Sequence, residues 1–336
     1  MSNQTQSINI LAIESSCDDT AASVLSNGKV LSNVVSSQHI HELYGGVVPE
    51  LASRAHQQSI VPVVDLAIKK SGLNLTDLSA IAFTKGPGLI GSLMVGSSFA
   101  KSLAYALSLP LIGVHHMEAH VLAHFIPENK PNFPFLCLTV SGGHTQIVRM
   151  DDYFSFEVIG KTIDDAAGEA FDKSAKLLGL PYPGGPLIDK YAKEGKVAFK
   201  FSQPQINELD FSFSGLKTNI LYFLQKQVKE NEDFIKDNIN DICASIQDAI
   251  INHLMKKLKL ASVQTGIKNI ALAGGVSANS GLRNAIETEG LKSQWSTFIP
   301  PFEFCTDNAA MVGITAHYKF LENQFEDLNT APLARF

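Results

Sequence analysis

The segment His115-His116-Met117-Glu118-Ala119-His120 carries the residues with the plainest chemical purpose in this chain. It follows a short apolar strand, Pro110 to Val114, and reads as the opening of a helix. His116 and His120 are four residues apart, so on a helix they project about 40° apart on one face. That is the spacing with which two imidazoles grip one metal ion. Zinc proteases place a glutamate directly after the first histidine, where it activates a metal-bound water. Here Glu118 follows His116 by two residues and points about 200° away around the helix. The segment therefore reads as a metal clamp without the protease's general base. Two histidines rarely complete a catalytic site, and a carboxylate commonly joins them. Asp307, at the start of the last helix, is the candidate third ligand, although a helix N-cap or first-turn acid is the commoner use of such a residue. Asp18 and Asp19 form a second acidic pair, which an ordinary turn would also explain.

The elements that must position these groups alternate between strand and helix, which indicates an α/β fold. Strands are expected at Ile8 to Ile13 and Thr20 to Leu25, flanking the polar turn Glu14 to Asp19. The layout recurs at Phe135 to Val140 and Thr145 to Arg149, around Ser141 to His144. Two such hairpins point to a duplicated architecture. Between them, Pro49 to Lys70 reads as a helix with Ile60, Val64 and Ile68 on one face, bent at Pro62. A strand from Ala80 to Phe83, a helix from Ser92 to Leu107 and the strand before the histidines follow. Later helices are expected at Ala166 to Leu178, Asn240 to Leu260, Ser277 to Glu287 and Thr306 to Phe320, with a strand at Asn269 to Leu272. In the longest of these, Ile246, Ile250, Leu254 and Leu258 make a stripe that suits core packing.

Four loops put glycine where a chain turns tightly or lets a ligand approach its backbone. They are Gly86-Pro87-Gly88, Ser141-Gly142-Gly143-His144, Pro183-Gly184-Gly185-Pro186 and Gly274-Gly275-Val276-Ser277. Each alone is an ordinary turn signal, but the second and fourth together suit a nucleotide held between lobes. Gly86 to Gly91 formally matches GxGxxG. The next strand, however, ends in histidines rather than the ribose-binding acid, and Ser92 stands where a P-loop needs lysine.

At 336 residues, two lobes are expected: 1–112 and 113–336, with the last helix free to pack back on the first. The apolar content of 45% and charged content of 18% describe a soluble globular protein. Met1 to Ser7 lacks the layout of a signal peptide, and no apolar run reaches a membrane span, so a cytoplasmic protein without a membrane partner is expected. The scattered Cys17, Cys137, Cys243 and Cys305 read as reduced thiols. A net charge of -6 argues against nucleic-acid coating by electrostatics alone. Lys256, Lys257 and Lys259 make one small basic cluster, which a solvated helix face explains.

Several segments together resemble one family. They are Ile13-Glu14-Ser15-Ser16-Cys17-Asp18-Asp19-Thr20, Gly45-Gly46-Val47-Val48-Pro49-Glu50, Gly86-Pro87-Gly88-Leu89, the histidine segment, Ser141-Gly142-Gly143-His144-Thr145, Phe211 to Thr218 and Gly274 to Asn279. In this order they resemble the bacterial tRNA threonylcarbamoyladenosine transferases, the TsaD family, once labelled O-sialoglycoprotein endopeptidases. The resemblance spans nearly the whole chain. Its departures, such as Ser15 for a usual threonine and Ala119 for a usual glycine, spare every proposed ligand. It implies a two-lobed actin-like ATPase (ASKHA) fold with a duplicated core. It also implies transfer of threonylcarbamoyl from threonylcarbamoyl-AMP to N6 of adenosine 37, in tRNAs reading codons that start with A. His116, His120 and Asp307 would hold one divalent metal, usually Fe2+, with Zn2+ and Mg2+ as alternatives. Thr139, Val140, Ser141, Gly142, Gly143, Asp172, Gly185, Asp189 and Asn279 would contact the adenylate. Asp18 is assigned as the proton acceptor or orienting group for the attacking amine. The family's partners are a smaller homologous subunit (TsaB-like) and a P-loop ATPase (TsaE-like). The acidic balance adds the expectation that partners help form the tRNA site. A metal-dependent peptidase, a small-molecule kinase of the same fold and a non-catalytic scaffold are the rival readings.

Overall fold

The computed structural model describes residues 7–202, 206 and 208–335; the polar start before Ser7 lies outside them. The chain divides into two units, Met1–Lys130 with Thr306–Phe336, and Pro131–Cys305.

Unit 1 begins with β1 (Asn9–Glu14), β2 (Asp19–Ser26) and β3 (Lys29–Ser37). Next come α1 (Pro49–Ser71), β4 (Ala80–Gly86), α2 (Ile90–Leu107), β5 (Leu111–His115) and α3 (His116–Leu122). Their sheet has the order β3-β2-β1-β4-β5. The first three strands pair antiparallel, and β4 and β5 are added in parallel. Side chains alternate along a strand, so each strand feeds two cores. Leu11, Ile13, Ile81 and Phe83 pack with Ile60, Val64 and Ala100 of α1 and α2. Ile10, Ala12, Ala80, Ala82, Ile112 and Val114 pack on the other face with Ala119, Met311 and Val312. A sheet buried on both faces explains the near-continuous apolar runs of β1 and β4.

In unit 2, β6 (Phe135–Val140), β7 (Thr145–Met150) and β8 (Phe156–Lys161) are followed by α4 (Ala167–Leu177), α5 (Gly184–Ala192), α6 (Ser214–Glu230) and α7 (Phe234–Asp237). Then come α8 (Ile239–Thr265), β9 (Asn269–Ala273), α9 (Ser280–Ser293) and β10 (Ser296–Phe298). The sheet order is β10-β9-β6-β7-β8. Read from the meander, this repeats the first sheet: three antiparallel strands, then two parallel ones. The duplication expected from the hairpins is thus present in strand order and direction. Ile246, Ile250, Leu254 and Leu258 of α8 are fully buried, so that stripe is core.

Several details differ from the sequence reading. Each hairpin gains a third strand, the first through the turn Asn27-Gly28, whose φ values of 49° and 78° suit a two-residue hairpin loop. The helix expected from Ser277 starts at Ser280, capped by Asn279. The final helix, α10 (Ala309–Leu321), starts after Asn308, whose side chain accepts the Met311 N–H. The division between units falls at Lys130/Pro131 rather than at 112/113, because α3 packs against α10.

Lys257, grouped by sequence with Lys256 and Lys259, is buried instead, and its Nζ donates to the carbonyls of Ile206 (2.7 Å) and Glu208 (2.6 Å). One turn earlier, His253 sits edge-on to Phe211 and Phe213, and its Nε2 accepts the Ser212 N–H. Burial, helped by Lys257 and Lys256, pushes the His253 imidazole down to about 4. In the unfolded chain it titrates near its ordinary 6.5. The unfolded state therefore binds the extra proton first, and stability present above about 6.5 is lost as pH falls towards 4. Between pH 7 and pH 5 the loss is roughly 2 kcal/mol. Urea unfolding at the two pH values should show a shallower dependence for His253→Phe than for wild type; equal slopes would exclude this residue as the source.

Candidate functional site

The site in unit 1 is built where β1, β5, α3 and the start of α10 meet. β5 delivers the chain to His116, and one helical turn presents His116 and His120 together. Their rings stand edge to face with centroids 4.7 Å apart. The Asp307 carboxylate, two residues before α10, faces both: its Oδ1 lies 3.0 Å from His120 Nε2 and 3.5 Å from His116 Nε2. Because Asn308 caps the helix, Asp307 is not spent on that task. Among the described residues, these three side chains form the group able to hold a metal ion, with donor atoms within 4.8 Å of one another.

Sequence reasoning missed the group behind them. Glu14, wholly buried at the end of β1, places Oε2 at 3.2 Å from His116 Nδ1, and Ser16 Oγ lies at the same distance from that nitrogen. The Glu14 carboxylate also accepts from the Ser16 N–H and from Thr84 Oγ1. Its signal in the sequence was a carboxylate ending an otherwise apolar strand. A carboxylate on the far ring nitrogen fixes the imidazole's orientation and leaves Nε2 for a metal. Burial pushes the His116 imidazole down, but Asp307 and Glu14 outweigh it and hold it up at about 9. Burial likewise opposes ionisation of Glu14, and the paired His116 overcomes it to keep the carboxyl low. Two imidazoles and a carboxylate with an oriented ring fit a borderline divalent cation.

Glu118 is not part of this group. Burial pushes its carboxyl up, and Lys319 draws it back. Burial and the nearby Asp18, Asp307 and Glu14 carboxylates all push the Cys17 thiol up, which disfavours its thiolate. Asp18 and Asp19 follow at the β1–β2 turn, where burial pushes Asp19 up to about 6 against a hydrogen bond from Ser37. The turn is held from two sides. His56 of α1 shares a 2.7 Å hydrogen bond with Thr20 Oγ1, while its Nε2 donates to the Cys17 carbonyl at 3.0 Å. The loop Gly86 to Gly88 lies against it so closely that a Cβ on Gly88 would sit 2.4 Å from the Ser16 carbonyl oxygen. Gly88 therefore serves close packing against the β1–β2 turn.

Unit 2 gathers the other expected residues. Ser141, Gly142 and Gly143 form the tip of the β6–β7 hairpin, with Ser141 Oγ accepting the His144 N–H and the Ser141 carbonyl accepting the Gly168 N–H of α4. Thr139 and Val140 are fully buried, so their side chains support the tip from within. Asp172 of α4 accepts the N–H groups of Gly184 (2.8 Å) and Gly185 (3.1 Å), anchoring the start of α5. Burial nevertheless pushes its carboxyl up. Asp189 of α5 accepts from Ser280 N (3.1 Å) and Oγ (2.7 Å), beside Asn279. Asn279 donates in turn to Gln247 Oε1 at 2.7 Å. Contacts thus run from α4 through α5 to the start of α9. Gln247 and Asp164 are further structural groups that the sequence did not single out. Asp164 accepts hydrogen bonds from Ser212, Phe213 and Ser214 and so ties down the segment that opens α6.

Comparison with known proteins accords with this geometry. Residues 29–314 match the family model described as "TsaD: tRNA N6-adenosine threonylcarbamoyltransferase". A tRNA N6-adenosine threonylcarbamoyltransferase of Christiangramia forsetii is 62% identical over 335 residues, covering 98% of each chain. Among solved structures, full-length HypF in its phosphate- and nucleotide-bound form is similar at a TM-score of 0.62 and 15% identity, over 95% of this chain and 47% of that one. Component A of the (R)-2-hydroxyglutaryl-CoA dehydratase of Acidaminococcus fermentans is similar at 0.55 and 16% identity, over 93% and 98%. These likenesses bear on fold alone, and with the repeated sheets they establish an actin-like fold. The peptidase and kinase readings are not favoured. With the family model matching most of its length, the chain belongs to the TsaD family of tRNA N6-adenosine threonylcarbamoyltransferases, enzymes that modify tRNA.

Proposed function

We propose that this chain transfers threonylcarbamoyl from threonylcarbamoyl-AMP to N6 of adenosine 37 in tRNAs reading codons that start with A, releasing AMP. Family membership carries the reaction, and the His116–His120–Asp307 cluster backed by Glu14 is the observation that carries the site. His116 Nε2, His120 Nε2 and Asp307 would hold one divalent metal, Fe2+ by the family's habit. When bound, such an ion would supply Lewis acidity. Glu14 keeps His116 turned towards it. Ser141 to Gly143, Gly185, Asp189 and Asn279 in unit 2 would bind the adenylate, with Thr139, Val140 and Asp172 shaping the backbone around it.

The amine nitrogen forms a bond to the carbamoyl carbon as the bond from that carbon to the AMP oxygen breaks, and the amine loses a proton. An exocyclic adenine amine is a weak nucleophile, while AMP is a good leaving group. Positioning and charge stabilisation therefore matter more than a strong base. Asp18 is the proposed acceptor or orienting group for that proton. One feature favours its neighbour as a second reading: a carboxyl raised to about 6, as in Asp19, accepts a proton near neutral pH better than an ordinary one. The base form exists above that value, so transfer should fall as pH drops through about 6. A pH–rate profile of wild type, Asp18→Asn and Asp19→Asn separates the two. If Asp19 is the acceptor, its asparagine variant loses the acid limb. A full rate in Asp18→Asn with normal adenylate binding would remove Asp18 from the mechanism.

A smaller homologous subunit and a P-loop ATPase are the proposed partners, and the cytoplasm the proposed location. No helix among the described residues is long and apolar enough to cross a membrane.

A further inference from the structure

Unit 2 carries a groove of about 760 Å³ along α8, between the end of α5 and α9. Three elements each send lysine to it: Lys196 from the segment after α5, Lys256 and Lys259 from α8, and Lys292 from the last turn of α9. All four are exposed. Asp248 and Glu289 are the groove's acids, and Glu289 is held 3.0 Å from Lys259 Nζ. Four cations against two anions make the groove locally positive on a chain whose net charge is -6. Burial of Lys257 leaves Lys256 and Lys259 on the side of α8 that faces this groove.

The groove also comes within one residue of Asn279, one of the proposed adenylate-binding residues. Gln247 lines it and accepts a hydrogen bond from Asn279 at 2.7 Å. The strand that brings the adenosine amine to the adenylate is a polyanion, and lysines converging from separate elements suit phosphates spaced along a backbone rather than one compact anion. We infer that this groove binds the phosphodiester backbone of the tRNA substrate. The inference rests on the transferase reading above. Its contacts are electrostatic and independent of sequence, so they set affinity and its salt dependence without selecting the base.

The test is transfer to purified tRNA by the full chain with the partner proteins it requires, run at several salt concentrations. Lys256→Glu combined with Lys292→Glu should raise KM for tRNA at least about 10-fold and flatten its salt dependence by one to two ions. The kcat, AMP binding and melting temperature should stay at wild-type values. Asp248→Asn supplies an arm that misfolding cannot mimic, because it should lower KM for tRNA. An unchanged KM and salt slope in the double variant would overturn the inference. Lost association with a partner protein at unchanged KM for tRNA would also overturn it, in favour of an acidic protein surface as occupant. If wild type itself makes no threonylcarbamoyladenosine, the transferase reading fails instead, a result separate from either.

Discussion

The His120→Ala chain is expected to purify without its metal and to transfer threonylcarbamoyl at least about 10³-fold more slowly, a loss of about 4 kcal/mol of transition-state stabilisation. His120 is buried, and its Nε2 is directed at Asp307, 3.0 Å away. Removing it leaves His116 and Asp307, too few protein ligands for a catalytic ion. The same substitution opens a small cavity and should lower thermal stability by only a few degrees, because α3 remains packed through Met117, Ala119 and Val121. Metal content by elemental analysis, rate by nucleoside mass spectrometry and melting temperature distinguish a lost ligand from a lost fold. A chain that kept its metal and its rate would dismiss the cluster as the metal site.

The second large effect is expected at Gly274, which joins β9 to the turn before α9. Its φ of 85° and ψ of 166° lie in a region open essentially to glycine alone. A Cβ there would sit 2.5 Å from the carbonyl oxygen of Val140, at the end of β6. Gly274→Ala must therefore displace the strand end that carries Ser141 to Gly143. Backbone strain and collision together should cost about 3 kcal/mol or more. Adenylate affinity should fall along with stability, because one displacement causes both. Gly142→Ala is the matched control, since nothing lies within 4 Å of a Cβ at that position. Its stability should change by less than about 1 kcal/mol. Equal melting temperatures for the two variants would contradict the packing argument.

Much of this architecture was legible because the buried strands announce themselves. β1 and β6 are fully buried apolar runs ending in polar turns, and the repeated strand-turn-strand pattern corresponds to two sheets of matching order. What the pattern hid were chiefly the edge strands. β3, β8 and β10 each lie at the end of a sheet and mix exposed with buried residues, so their alternation is weak. Helix α5 was hidden by Gly184, Gly185 and Pro186, which read locally as a turn and become a helix start because Asp172 accepts the two glycine N–H groups.

The candidate metal site was legible from its ligands but not from its support. The i, i+4 histidines are a local signal. Asp307 is 187 residues from His120. A helix N-cap competed for its role, until the structure gave that task to Asn308. Glu14 is farther from obvious, because its partner His116 is 102 residues away and only the tertiary fold joins them. Lys257 makes the same point in reverse: one helical position separates a buried cation bound to two carbonyls from the exposed Lys256.

The most direct measurement is nucleoside mass spectrometry of tRNA from cells depleted of this protein and rescued with wild type or with His116→Ala. Cells supply the partners and the adenylate, so a negative result can be interpreted. Threonylcarbamoyladenosine should disappear on depletion and return only with wild type, establishing both the transfer and its need for the histidine cluster. Modification that persists on depletion, or that His116→Ala restores in full, would contradict the account.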